Sequence, residues 1–257
     1  MRNRDVNFIR IARDGERTPI MRAVAVEAPI AIEINGIGYA VMMATPDDLI
    51  DFAHGFVWSE RLVEEAGEIL TVEPVTTAIG HRLRIELIPE RSERLFERFR
   101  HRVSDSSCGM CGIENLEQAI RPLPRVTEQE TVADRALFRA LGHLRERQPL
   151  NLATGAAHAA ALCNREGLIL VVREDVGRHN AFDKLIGAML RGGLTWGNGF
   201  ALLSSRCSYE LVEKAALSDC PTLVTISAPT SLAVERARAT GIRLIVLARS
   251  DSVLTPD

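Results

Sequence analysis

The stretch GLILVVREDVGRHNAFDKLIGAML (167–190) changes its hydrophobic period halfway along. Its first six residues form a continuous apolar run, which predicts a buried strand. From His179 onward, Phe182, Leu185, Ile186, Met189 and Leu190 recur at helical spacing and lie on one face of a helix over 179–190. A strand, a polar turn and a helix follow one another without a break. The same unit recurs downstream. FALLS (200–204) reads as a strand and YELVEKAAL (209–217) as a helix. TLVTIS (222–227) is a strand, and SLAVERARAT (231–240) is a helix stopped by Gly241. IRLIVLA (242–248) is the last strand. Strand and helix alternate with connections long enough for right-handed crossovers. This predicts an α/β layered domain with a mostly parallel sheet over 127–257.

Upstream, RPLPRV (121–126) with its two prolines is the best linker. The first 120 residues read as a smaller α+β domain. IAIEINGIGYAVMM (30–43) alternates about Asn35-Gly36, a type I′ turn pair, and so forms a hairpin. Thr45-Pro46-Asp47-Asp48 supplies an N-cap, a proline at the first helical position and two early acids, for a helix to about Ser59. HRLRIELIP (81–89) is another strand. RLFERFRHRVSDSSCGMCG (94–112) begins as a basic amphipathic stretch and ends as a loop.

Length and composition bound the function. The chain has 257 residues, a net charge of −3, 46% hydrophobic and 25% charged residues, as an ordinary globular protein does. That charge gives no general reason to expect nucleic acid or an anionic membrane as partner. The basic N-terminus lacks a signal-peptide core, and no apolar run is long enough to span a bilayer. Five cysteines, an odd number without framework spacing, fit a reducing cytoplasm better than a secreted disulfide scaffold.

Ligands of open α/β sheets bind beyond the carboxyl ends of the strands. Four segments leave strands there: Arg173 to His179, Ser205 to Glu210, Ser227 to Ser231, and Ala248 to Ser252. Three of them also open helices, whose N-termini favour phosphate. Arg178, Arg206 and Arg249 add guanidinium groups suited to phosphate oxygens. Helix caps and surface ion pairs use the same residue types, but four segments on one rim favour a large, phosphate-rich ligand.

The pair Cys108-Gly-Met-Cys111 is half of a four-ligand zinc set, and no spacing points to the other half. A redox dithiol would sit in a strand-to-helix turn, whereas this pair follows a serine-rich loop. A reactive or sulfur-carrying thiol is the third reading. Nearby Arg98, Arg100, His101 and Arg102 favour the thiolate, and a helix beginning near Cys111 would do the same.

Longer motifs carry a resemblance. Thr45-Pro46-x-Asp48, Ser107-Cys108-Gly109-x-Cys111-Gly112, Thr154-Gly155-x-x-His158-Ala159-Ala160, the run Arg173 to Gly187, Ser208-Tyr209-Glu210 and Ser227 to Val234 are together similar to the FdhD family, sulfurtransferases needed to make formate dehydrogenase active. The chain departs from that family's pattern at Ala44, Ala156 and Ser205, and in its C-terminal tail.

The resemblance implies a cytidine-deaminase-like C-terminal domain. It implies a cysteine desulfurase as sulfur donor, a persulfide on Cys108 with Cys111 assisting, and bis-molybdopterin guanine dinucleotide as acceptor. The family's cofactor-binding stretch matches Leu247, Ala248, Arg249, Ser250, Asp251 and Ser252. Arg178, His179, Arg206, Thr230, Ser231 and His158 are further candidates at the rim. A homodimer is implied as well, and no resident metal. Deamination is not expected, because His158 is followed by two alanines and Pro229 by Thr230-Ser231, where a zinc deaminase needs H-x-E and P-C-x-x-C. A non-enzymatic chaperone that binds and delivers the cofactor is the rival reading, and the cysteines discriminate between the two.

Overall fold

The computed structural model describes residues 1–92, 121–127 and 132–257. β1 (Asn3–Ile11) and β2 (Arg17–Ala25) pair as an antiparallel hairpin that stands apart as a two-stranded sheet. Ile9, Ile11 and Met21 of this arm are largely exposed.

A four-stranded sheet follows. It contains β3 (Ala28–Ile34), β4 (Ile37–Ala44), β5 (Ile69–Thr77) and β6 (Gly80–Leu87), in the order β4-β3-β6-β5. Asn35 and Gly36 form the expected hairpin turn, with φ of 48° and 77°. α1 (Leu49–Ser59) packs Phe52, Phe56 and Val57 against Ile30, Ile32, Leu83 and Ile85. The helix ends at Ser59 as expected but starts later than the sequence suggests. Asp48 occupies the N-cap in the left-handed region, φ 51°, without a capping hydrogen bond. Thr45 is not the cap, because its polar groups are engaged elsewhere.

The third sheet has the order β11-β10-β9-β7-β8. Its strands are β7 (His158–Cys163), β8 (Ile169–Asp175), β9 (Phe200–Leu203), β10 (Thr222–Thr225) and β11 (Arg243–Ile245). The sheet is mixed rather than mostly parallel. β9, β10 and β11 are parallel neighbours, but β7 runs antiparallel to both β8 and β9. The reason is a tight turn at Asn164–Leu168, with Gly167 at φ 80°, which reverses the chain directly into β8. An alanine-rich strand gives little β signal in sequence.

Helices cover both faces of this sheet. α2 (Asp134–Leu144) lies over Ala161, Cys163, Phe200 and Leu202. On the other face α4 (Arg178–Gly192), α5 (Tyr209–Leu217) and α6 (Ser231–Thr240) lie over Ala160, Leu162, Ala201 and Leu203. Alternate residues of β7 and β9 thus enter opposite cores, and apart from His158 at the start of β7 both strands are apolar. α3 (Pro149–Thr154) begins where Glu174 accepts from the N–H groups of Leu150 and Asn151, both at 2.8 Å. Beyond β11, Val246 and Leu254 exchange backbone hydrogen bonds.

The N-terminal and C-terminal parts meet through α1 and α4. A Cβ on Gly55 would lie 1.8 Å from the Asp183 carbonyl oxygen, and one on Gly187 would lie 1.8 Å from that of Asp51. The helices therefore touch backbone to backbone. The Trp58 indole adds to the joint, and a second indole, Trp196, ties down the same helix end from within the C-terminal part. Trp58 Nε1 donates to the Leu217 carbonyl at 3.0 Å and Trp196 Nε1 to that of Ser218 at 2.7 Å. These are orphan carbonyls at the end of α5.

Candidate functional site

β8 and β9 are both antiparallel to β7, so β8 to β11 all end on the same edge of the sheet. His158, the first residue of β7, pairs with Asp175, the last of β8, and so lies at that edge too. All the sequence-predicted segments of the C-terminal part therefore meet at one rim. Their loops are joined through the backbone. Ser227 N donates to Ser205 O (3.3 Å), Cys207 N to Ala228 O (3.2 Å), and Leu247 N to Ser227 O (3.2 Å).

The charged groups at the rim fall into two sets. The first surrounds the start of α4. Arg178 and His179 are its first residues, and Gly177 at the N-cap brings no side-chain acceptor to the helix end. The imidazole of His158 is half-buried. Burial, with Arg178, His179 and Arg206 beside it, holds its pKa below the ordinary histidine value. Its neutral form therefore sits among three groups that are or can be cationic. Arg178 Nε is buried and has no hydrogen-bond partner among the described residues. His179 Nε2 lies 2.8 Å from Glu210 Oε2 and 3.3 Å from Ser208 Oγ. The hydrogen bond from His179 pulls the Glu210 carboxyl below its usual range.

The second set is the C-terminal loop. Arg249 donates from Nη1 to the Ile226 carbonyl at 2.8 Å, and its own N–H donates to Ser252 O at 2.8 Å. These bonds curl Ala248, Arg249, Ser250, Asp251 and Ser252 against the end of β10. Thr230 caps α6 by accepting from Ala233 N at 3.3 Å, with Ser231 as the first helical residue.

Three cysteines are described, and all are buried: Cys163, Cys207 and Cys220. Cys207 belongs to a rim segment, but burial pushes its thiol up to about 12. The same cause puts Cys163 at about 12. Neither has thiolate to offer near neutrality. Cys108 and Cys111 lie outside the described residues. Among the described residues no cluster of three or more His, Cys, Asp or Glu could hold a metal ion. No helix among them is long and apolar enough to cross a membrane.

Two features of the rim are invisible in the sequence pattern. Glu210 reads as an ordinary first-turn acid, yet it holds His179. Asp175 and Lys184 are both fully buried and lie 2.7 Å apart, a pairing that charge pattern alone does not show.

A family model described as the FdhD/NarQ family matches residues 25–255. The sulfur carrier protein FdhD of Xanthomonas euvesicatoria pv. vesicatoria is 44% identical over 244 residues, covering 95% of this chain and 87% of that one. The protein of the same name from Agrobacterium fabrum is 42% identical over 253 residues, covering 96% and 93%. A crystal structure from Desulfotalea psychrophila, described as a formate dehydrogenase accessory protein, superposes with a TM-score of 0.78 at 22% identity, covering 98% of this chain and 96% of that one. At that identity the last comparison speaks for the fold. Agreement in sequence along nearly the whole chain, on a fold shared from end to end, makes this chain a member of the FdhD/NarQ family.

Proposed function

We propose that the chain is a sulfur carrier for formate dehydrogenase and works as a sulfurtransferase in the cytoplasm. In this reading a cysteine desulfurase is the donor. The Cys108 thiolate attacks the donor's sulfane sulfur, an S–S bond forms on Cys108, and the donor cysteine leaves as thiolate. Cys111 assists in holding or relaying that sulfur. The acceptor is the substrate bis-molybdopterin guanine dinucleotide, bound at the rim by Arg178, His179, His158, Arg206, Thr230, Ser231 and the loop Leu247 to Ser252. The FdhD relatives carry the name sulfur carrier protein, and the structural neighbour is described as a formate dehydrogenase accessory protein.

The observation that carries the reading is the cationic cluster at the start of α4. A nucleotide diphosphate needs guanidinium and N–H donors in one place, and the buried Arg178 Nε is a donor still without an acceptor. A mixed sheet with helices on both faces supports a cytidine-deaminase-like C-terminal domain over 127–257, set against a smaller N-terminal domain over 1–120. Two copies are expected to form the working unit.

The test is direct. The protein is incubated with a desulfurase and cysteine, and intact mass is measured. One or more added sulfur atoms are expected on the wild type, and none on Cys108→Ala. No adduct on the wild type, or an equal adduct on the variant, overturns the assignment. The buried Cys163, Cys207 and Cys220 provide an internal control, since none should gain sulfur in the folded chain.

A further inference from the structure

Two motifs stand about 130 residues apart in the chain, Thr45-Pro46-x-Asp48 and Glu174-Asp175-Val176-Gly177, and neither Thr45 nor Asp175 has a place among the ligand-binding candidates of the rim. In the fold they form one buried network. Thr45 is fully buried. Its N–H donates to Asp175 Oδ2 at 3.0 Å, and its hydroxyl oxygen accepts from Val176 N at 3.2 Å. Its carbonyl accepts from Lys184 Nζ at 2.9 Å. Asp175 is filled on both oxygens. Oδ2 takes Thr45 N and Lys184 Nζ, while Oδ1 takes Gly177 N (2.8 Å) and Asn180 Nδ2 (3.0 Å). Lys184 completes its donors on the Glu174 carbonyl at 3.3 Å, and Asn180 Nδ2 reaches back to the Met43 carbonyl at 2.9 Å. A buried ion pair stabilises little unless every lone pair and proton is matched, and here they are matched.

The direction of these bonds matters more than their number. Val176, Gly177 and Asn180 bracket Arg178 and His179. The N–H groups of Val176 and Gly177 are held by Thr45 and Asp175, and the Asn180 side chain ties the first turn of α4 to the end of β4. The Asn180 amide packs directly on Gly177, where a Cβ would lie 2.9 Å from Asn180 Nδ2 and 3.4 Å from Asp175 Oδ1. We infer that Thr45 is a positioning residue for the rim. Acting through Val176 and the Asp175 carboxylate, it aims the first turn of α4, and with it Arg178 and His179, at the ligand without touching the ligand. The N-terminal part thereby sets the geometry of a site built entirely by the C-terminal part. This rests on the rim being the diphosphate-binding site.

The experiment uses the full chain and two readouts: hydrogen exchange at the 176–180 amides, and titration with guanosine diphosphate. Thr45→Val keeps the shape and the backbone bonds of residue 45 but leaves the Val176 N–H without its acceptor. It is expected to speed exchange at Val176 and Gly177 by roughly tenfold and to weaken guanosine diphosphate by about tenfold, the scale of one lost buried hydrogen bond. Thr45→Ser, which keeps the hydroxyl, should restore both. Ile32→Val, a truncation in the core beneath the same β4 sheet, should change neither.

Unchanged exchange in Thr45→Val overturns the positioning role. So does altered exchange with unchanged affinity. If the wild type binds no guanosine diphosphate while exchange still responds to Thr45→Val, the network stands and the diphosphate reading of the rim falls. Should Thr45→Val fail to fold, Thr45→Ala removes the same hydroxyl acceptor from Val176 N without adding a methyl group in its place. The same two readouts then decide the matter by the same outcomes.

Discussion

His158 shows how one rim residue writes itself into the pH dependence of the whole chain. Burial is the main cause that holds its pKa below the ordinary 6.5, and the neighbouring Arg178, His179 and Arg206 act in the same direction. His54 on α1 is also held below 6.5, again chiefly by burial. A histidine whose pKa is lowered by folding takes up its proton more readily in the unfolded chain. Below 6.5 the unfolded state binds more protons, so stability falls as pH drops through that value toward the folded pKa. The urea midpoint is therefore expected to be lower at pH 5.5 than at pH 7.5. His158→Gln should flatten part of that slope, and a slope unchanged by the substitution would show that His158 is ordinary. Candidate site residues could be read from the sequence here because strand ends and helix starts are periodic features. What Glu210 does for His179 could not be read, because a first-turn acid looks the same whether it faces water or an imidazole.

At the scale of elements, the joint between α1 and α4 makes the sharpest prediction. Gly187→Ala places a methyl group against the Asp51 carbonyl, where a backbone atom cannot step aside. A loss of about 1–3 kcal/mol or more is expected from urea unfolding, the range of overpacked cores. Gly142 in α2 is exposed and has nothing within 4 Å of a built Cβ. Gly142→Ala should therefore stabilise by about 0.5–1 kcal/mol through helix propensity alone. Equal effects at the two sites would contradict the close contact. The bounds of α5 and α6 are legible to the residue, since both have apolar stripes and α6 also has Thr230 as its cap and Gly241 as its stop. β7 is not, because HAAALC (158–163) holds alanines where a strand pattern needs branched residues. The start of α1 was misread for a related reason. Thr45 looks like an N-cap in isolation, and only the distant Asp175, Val176 and Lys184 show where its polar groups go.

Across the whole molecule, the parts differ in how strongly they are bound in. The β1–β2 arm meets the remainder mainly through α3 and an exposed Arg2–Asp47 pair at 3.5 Å. An exposed pair of this kind contributes little, and a lone hairpin is marginal on its own. Removal of residues 1–25 is expected to leave circular dichroism native-like and the thermal midpoint within about 4 °C. A collapse of the melting transition would show that the arm belongs to the core. The joint between the N-terminal and C-terminal parts is of the opposite kind. Proline-rich residues 121–126 look like a place where the chain could be cut into two modules, yet α1 reaches α4 through bare backbone at Gly55 and Gly187. Such a seam cannot be rebuilt by choosing complementary side chains on a new partner. A chimera that grafts the rim onto a foreign N-terminal module would need to inherit α1 along with it, so recombination within this family is expected to exchange the arm freely and the two larger parts only together.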